Sequence, residues 1–505
     1  MNSLNRIVAL SLVAGLASPA WAGELLDTRL SFVFADDNVF AGPGETNPNS
    51  PDMGFGAGPQ NNQFFDNYNT RYSGFESLSN LVLHAKSPAF FEGFVTEAAL
   101  AILLAEIRSG ELRLRDNSSY VRLAWRPQSW SEKENIEFVG FPVSADRFRL
   151  GYLYRLSWGG NSIYGSRATR NGIPGAKLQI NQDRWYAYVG GKTALFLDDT
   201  ILEEQTAYGA LAGAGFDILP ILRVEAGAGY FQKGKIPSLA NQGIDAPVNA
   251  LGASGRISLH VNEPVSESMD LKLYKNDPDV FEKLFSPSKY QGGISYTVSL
   301  EASRMYQTLA DPDVFARTEP QAADALALQG RVTVNFARFS ALAVYRSLEF
   351  IQFDVPGFPP YHNFPDGTEV KPEMFLAVGA DYHFPKLRLT PGIVVGVQQA
   401  ASMTPPDTLM GGNEPIVGME GQRTVVFRDT NLVSILPPNT EPLLIWSAKS
   451  STRWDISEMF AAVGEVYWTH DPNRATFIQD VTGVVQQVFE DNDRLGFNLI
   501  VQARF

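Results

Sequence analysis

No cysteine occurs among the 505 residues. Disulfide staples, thiolate metal sites and cysteine nucleophiles are therefore excluded. The five histidines, His84, His260, His362, His383 and His470, are scattered, and no motif around them nominates a Ser-His or Asp-His catalytic pair. Asp36, Asp37, Asp52 and Asp66 lie in one stretch but lack the one-residue spacing and closing glutamate of a calcium loop. We expect neither metal nor other cofactor, and no enzyme activity. Long apolar runs are missing too. After residue 22 the best stretch, Phe94 to Ile107, is interrupted by Glu97 and Glu106, whereas a membrane helix needs roughly 20 apolar residues. Helical i, i+3, i+4 patterning is nearly absent, as is a repeat of about 40 to 50 residues that would indicate a propeller. A net charge of −14 argues against a nucleic-acid partner.

What is present begins with MNSLNRIVALSLVAGLASPAWA, in which Arg6 precedes an apolar run and Ala20-Trp21-Ala22 forms a small-x-small site. This predicts a secretory signal over 1–22, cleaved near Ala22. Beyond it, alternation with period two recurs to the end of the chain. Thr206, Tyr208, Ala210, Ala212, Ala214, Phe216 and Ile218 make one set, and Leu222, Val224, Ala226, Ala228 and Tyr230 another. RFRLGYLYRLSW, residues 147–158, places Phe148, Leu150, Tyr152, Tyr154, Leu156 and Trp158 on one side and Arg147, Arg149 and Arg155 on the other.

Segments of about ten residues with one apolar face fit transmembrane β-strands, which need about 9 to 11 residues, better than the shorter strands of a soluble sandwich. The pattern predicts eighteen, near 25–34, 75–87, 92–106, 118–127, 147–158, 175–182, 184–197, 204–218, 222–233, 249–262, 291–306, 324–337, 340–354, 373–384, 386–399, 443–454, 458–470 and 493–505. Short joins, such as Pro385 to Lys386, alternate with long polar stretches, as short periplasmic turns and long extracellular loops do. Three further extended pieces, 134–141, 266–275 and 423–435, upset that parity. The first two are assigned to large periplasmic connections (128–146 and 263–290) and the third to an extracellular loop; sixteen or twenty strands satisfy parity equally. The expected fold is all-β, a transmembrane antiparallel up-and-down β-barrel occupying 23–505.

The final segment, RLGFNLIVQARF, ends on Phe505. It resembles the C-terminal signal strand of Gram-negative outer-membrane β-barrel proteins, in a porin-like arrangement of signal peptide and strands along the whole chain. The resemblance implies location in that membrane, contact with its lipids, and recognition of Phe505 by the barrel-assembly machinery. It does not identify a subfamily.

A barrel of this size has room for an aqueous channel. Alternation places an arginine bias in the lumen, with Arg147, Arg149, Arg184, Arg223, Arg388, Arg453 and Arg504 near the periplasmic ends of their strands and Arg155 higher. Such residues favour anions, or else pair with carboxylates of neighbouring strands and inward-folded loops. The aromatic loop from Asp36, with Phe55, Phe64, Phe65 and Tyr68, is a candidate constriction. Three readings follow: a channel for small hydrophilic solutes, biased towards anions by the lumen arginines; a non-conducting barrel anchoring an export or motility complex through a periplasmic partner at 128–146 and 263–290; and a lipid-modifying barrel enzyme.

Overall fold

The computed structural model describes residues 27–36, 38–40, 54–55, 80–87, 91–106, 113–116, 118–153, 156–164, 172–198, 203–263, 292–353, 361–406, 422–429, 432–479 and 485–504. Among them, twenty strands hydrogen-bond in one sheet; Gly54–Phe55 and Arg113–Asp116 are short additions to it, and the other eighteen form its wall. They are β1 (Asp27–Asp36), β2 (Asn80–Ser87), β3 (Phe94–Glu106), β4 (Tyr120–Trp125), β5 (Asn135–Phe141), β6 (Gly175–Asn181), β7 (Trp185–Asp198), β8 (Glu203–Leu219) and β9 (Leu222–Lys235). The second half comprises β10 (Pro247–Val261), β11 (Ile294–Ala310), β12 (Thr318–Val334), β13 (Ala337–Arg346), β14 (Glu373–Tyr382), β15 (Leu389–Gln399), β16 (Ile445–Trp454), β17 (Phe460–His470) and β18 (Asp493–Arg504).

Each strand pairs antiparallel with the wall strand before and after it. β1 pairs with β2 on one side and with β18 on the other, in register from Arg29 with Arg504 to Asp36 with Phe497. The ring of pairings thus returns to its start. Lipid requires this, because an unpaired backbone edge has no water to satisfy it.

Side-chain period two explains why these sequences take this form. On β8 the outward set Tyr208, Ala212 and Phe216 is exposed, while Leu211 between them is 1 % exposed. Exposed aromatic residues mark the two edges of the outer surface. Trp125, Trp185, Phe216, Phe339, Tyr382, Trp454 and Phe460 lie toward the end with short turns, and Tyr208, Tyr230, Tyr306, Tyr345, Trp446 and Trp468 toward the end with long loops. Val298, Leu300, Leu328, Leu376, Ile393 and Val395 fill the band between them. Aromatic girdles around an apolar band are what a bilayer selects.

Seventeen of the expected strands are found, with shifted ends. β13 stops at Arg346, and a short helix, Leu348–Phe353, follows where the strand was expected to continue. The turn before β13 is Asn335-Phe336, with Asn335 at φ 53°, three residues earlier than expected. The piece around 423–435 lies at the loop end, in a separate four-stranded sheet of Glu369–Lys371, Ala401–Thr404, Val425–Asp429 and Leu432–Ile435.

One strand was misplaced. Residues 147–158 do not belong to the wall; their place is taken by β5, which lies inside the connection expected over 128–146. Residues 264–291, most of the other large connection, and Phe505 lie outside the described residues.

Candidate functional site

The described residues of the long connection from β5 to β6, 142–153, 156–164 and 172–174, fold against the inner wall. Gly151, at φ 91°, turns the chain, so the two flanks pair: Leu150 and Trp158 exchange backbone hydrogen bonds of 2.9 Å in both directions. Leu156 N–H and Ser157 N–H both donate to the Leu153 carbonyl, which closes the turn. At the rim, Ala145 N–H donates to Ile173 O and Ile173 N–H to Val143 O.

Phe148, Leu150, Leu156 and Trp158, which alternation set on the lipid side, are instead packed inside. With Leu153, Ile163 and Tyr164 they are buried in the main core. The wall opposite them is made of inward glycines. A Cβ at Gly227 or Gly229 on β9 would come 2.7 Å from Leu150, one at Gly252 on β10 2.9 Å from Trp158, and one at Gly190 on β7 2.7 Å from Phe148. Burying a side chain of this size contributes about 1.5–3 kcal/mol. A wall without side chains creates the space for it.

Polar contacts fix the loop along the sector from β7 to β11. Lys192 Nζ on β7 donates to Ala145 O at 2.7 Å and Gly159 O at 2.6 Å. Trp158 Nε1 donates to Ser254 Oγ on β10 at 2.9 Å. Glu301, near the middle of β11, accepts the backbone N–H groups of Tyr152 at 2.8 Å and Leu153 at 2.9 Å. Beside it Arg256 lies 4.2 Å over the Tyr152 ring and donates from Nε to Glu225 at 2.7 Å, while Tyr186 OH donates to the other oxygen of Glu225 at 2.8 Å. The loop therefore reaches from the rim to mid-height. Within it, Arg149 binds Asp146 at 2.8 Å, and Asp146 also accepts Asn161 N–H at 2.7 Å. Burial pushes the Asp146 carboxyl up, but Arg149 and that N–H outweigh it and hold the group below the ordinary carboxylate range.

The arginines named from sequence separate into four groups. Arg147 and Arg149 are buried in the inward loop at the loop end rather than on a strand near the turns. Arg223 and Arg453 do face inward near the turn end, and each meets a carboxylate: Asp217 at 2.6 Å and Asp455 at 2.9 Å. Arg184 and Arg388 are exposed in the turns themselves. Arg155, and the side chain of Arg504, lie outside the described residues.

Elsewhere the inward charges are interleaved. Arg122 binds Glu97 at 3.0 Å and Glu137 at 2.7 Å; Arg346 binds Glu373 twice at 3.0 Å; Lys449 faces Glu465 at 3.4 Å; Arg331 meets Glu263 at 2.9 Å. His84 approaches Glu97 at 3.6 Å, and His362 Nε2 shares a 2.7 Å hydrogen bond with Ser238 Oγ between two loops. Among the described residues no group of three or more His, Cys, Asp and Glu side chains is arranged to hold a metal. Of the expected constriction 36–74, Asp36, 38–40 and Gly54–Phe55 are described: Asp36 ends β1, Val39 N–H donates to Leu495 O on β18 at 2.7 Å, and Gly54–Phe55 pairs with β1.

Alternation in the sequence places Lys192 and Glu301 in the lumen, but the glycine seat and the role of these two side chains as loop anchors were missed. The signal was available in GALAGAG (209–215) and EAGAGY (225–230), where glycine alternates on the inward side.

No family model matches the chain, and no curated protein matches it in sequence. Solved structures of similar architecture include the Pseudomonas aeruginosa outer membrane protein OpdK, at 9 % identity over 95 % of this chain and 98 % of that one, with a TM-score of 0.44. OprD of the same organism aligns at 8 % identity over 95 % and 94 %, with a TM-score of 0.43. Wzi of Escherichia coli, described as a carbohydrate-binding β-barrel of capsule assembly, aligns at 10 % identity over 99 % and 88 %, with a TM-score of 0.39.

Proposed function

We propose that the chain is an outer-membrane channel for small hydrophilic solutes, narrowed from one side by loop 142–174. The carrying observation is a ring of eighteen paired strands with a polar inner face, whose inward loop is anchored on the sector from β7 to β11. A ring of about 16 to 18 strands encloses more width than its own wall side chains fill. The loop takes part of that width along one sector, and the inner faces of the remaining strands border the path.

Charge selection by this channel is weak, with at most a modest preference for anions. Inward arginines and lysines would attract anions if they stood alone, but Arg122, Arg223, Arg256, Arg346 and Arg453 each hold a carboxylate within 3.0 Å. A solute therefore meets alternating signs rather than a basic ring.

Single-channel recording in planar bilayers tests the reading. Discrete conductance steps are expected, with a small reversal potential in a KCl gradient. A purified, folded protein that conducts at no voltage would sink it.

A further inference from the structure

The outward faces of the wall carry small, aliphatic and aromatic residues almost throughout. Among the described side chains away from strand ends, the charged exceptions are Arg304 on β11 and Asp324 on β12. Alternation fixes their direction, since Ser303 and Met305 are buried inside while the Arg304 and Asp324 side chains are 57 % and 49 % exposed. They are register partners on neighbouring strands, with Arg304 Nε 3.6 Å from the Asp324 carboxylate and the guanidinium 5.3 Å from the Tyr306 ring. Tyr306 belongs to the loop-end girdle. The pair lies two residues toward the bilayer interior, where an arginine against lipid costs between about 0–1 kcal/mol at the interface and 2–4 at the midplane.

We propose that this face is a contact between two copies of the chain, with a two-fold axis along the membrane normal passing between β11 and β12. That axis sets Arg304 of each copy opposite the partner's Asp324. One weak pair per copy becomes a closed square of four alternating charges, shielded from acyl chains. The opposite signs stand side by side on adjacent strands, which gives the self-complementarity a two-fold interface requires. A lipid phosphate fits less well, because a carboxylate 3.6 Å from the guanidinium cancels its attraction. Close approach is unobstructed: Ala253 is the register partner of Arg304, Gly255 of Ala302 and Ala322 of Tyr306.

The native chain has no cysteine, so one introduced thiol reports on one contact. In bilayer nanodiscs, Ala302→Cys is expected to give a dimer linked by a short bis-maleimide, which spans the strand-width offset that the axis leaves between the two thiols, and Val395→Cys, on the outward face of β15, is not. Native mass spectrometry should show two copies per particle. Arg304→Asp or Asp324→Arg alone should lower the dimer fraction by about tenfold, as like charges meet across the axis. The double exchange Arg304→Asp with Asp324→Arg restores the pairing and the dimer, and it separates lost contact from lost folding. A monomer with no Ala302→Cys link overturns the proposal, as do equal linking at both positions or failure of the double exchange to restore. A monomer that copurifies with a phospholipid and loses it on Arg304→Asp assigns the face to lipid instead. None of these readouts depends on conductance.

Discussion

The wall from β7 to β11 and the wall from β12 to β17 share one architecture but have different interiors. In the first, glycine recurs inward and a loop fills the room, held by Lys192 and Glu301. In the second, Leu342, Val344, Phe375, Val394 and Tyr467 project inward, and the charges bind along the wall itself, Arg346 to Glu373 and Lys449 to Glu465. Where that second wall does have glycine, its own side chains use the room: a Cβ at Gly496, on adjoining β18, would meet the Tyr467 ring. Inward residue size therefore distinguishes a wall that receives a loop from one that closes on itself.

The largest expected effect comes from removing Glu225. Glu225→Ala leaves Arg256, 4 % exposed, without its carboxylate, and losing one partner of a buried pair costs about 3–5 kcal/mol. A lower denaturation midpoint together with release of the loop to protease is the expected outcome; loss of neither shows that the two walls are held alike. Next, Gly229→Leu should cost about 1–3 kcal/mol by overpacking against Leu150. It also unseats the loop, so single-channel conductance rises while the wall remains folded. An unchanged conductance would mean that the loop does not narrow the path.

On the second wall, Arg346→Lys breaks the two-point contact with Glu373, and a stability loss of about 1 kcal/mol with unchanged conductance is expected. A conductance change as large as that of Gly229→Leu would erase the contrast. The smallest effect is at the rim. Burial lowers the pKa of His362, so the ring bonded to Ser238 is neutral in the fold. The unfolded loop takes up a proton first, so the contact is fully stable above the ordinary histidine range and weakens as pH falls below about 6.5. Amide protection at Ala310 and Asn363, which hydrogen-bond across this junction, should fall with it, and a flat profile would remove His362 as the cause.

Strand positions were legible because lipid outside and a polar interior impose period two on every crossing. The misplaced strand shows the limit of that signal. Residues 147–158 alternate too, but Gly151 breaks the extension and Leu153 and Leu156 are buried together. A folded loop whose flanks pair against a wall of glycines imitates a crossing. NIEFVGF, by contrast, is the real crossing although it is short, with Glu137 inward to meet Arg122 and Phe138 outward. Parity admitted only one of the two, and the stronger apolar pattern was the wrong guide. Lys192 and Glu301 were legible as lumen-facing, but their anchoring role was not, because their partners are backbone groups of a distant loop, which leave no mark in side-chain pattern.

The glycine seat also bears on the order in which the barrel is built. The glycine contacts and the anchors Ser254, Lys192 and Glu301 that seat the loop join residues within 135–310, whereas the closing seam joins Arg29 to Arg504. Contacts between residues near in sequence form faster than distant ones. The loop-bearing arc can therefore assemble around its insert while the seam is still open. In that order the closing pairing encloses a loop already in place, and no later step has to thread it through a finished ring.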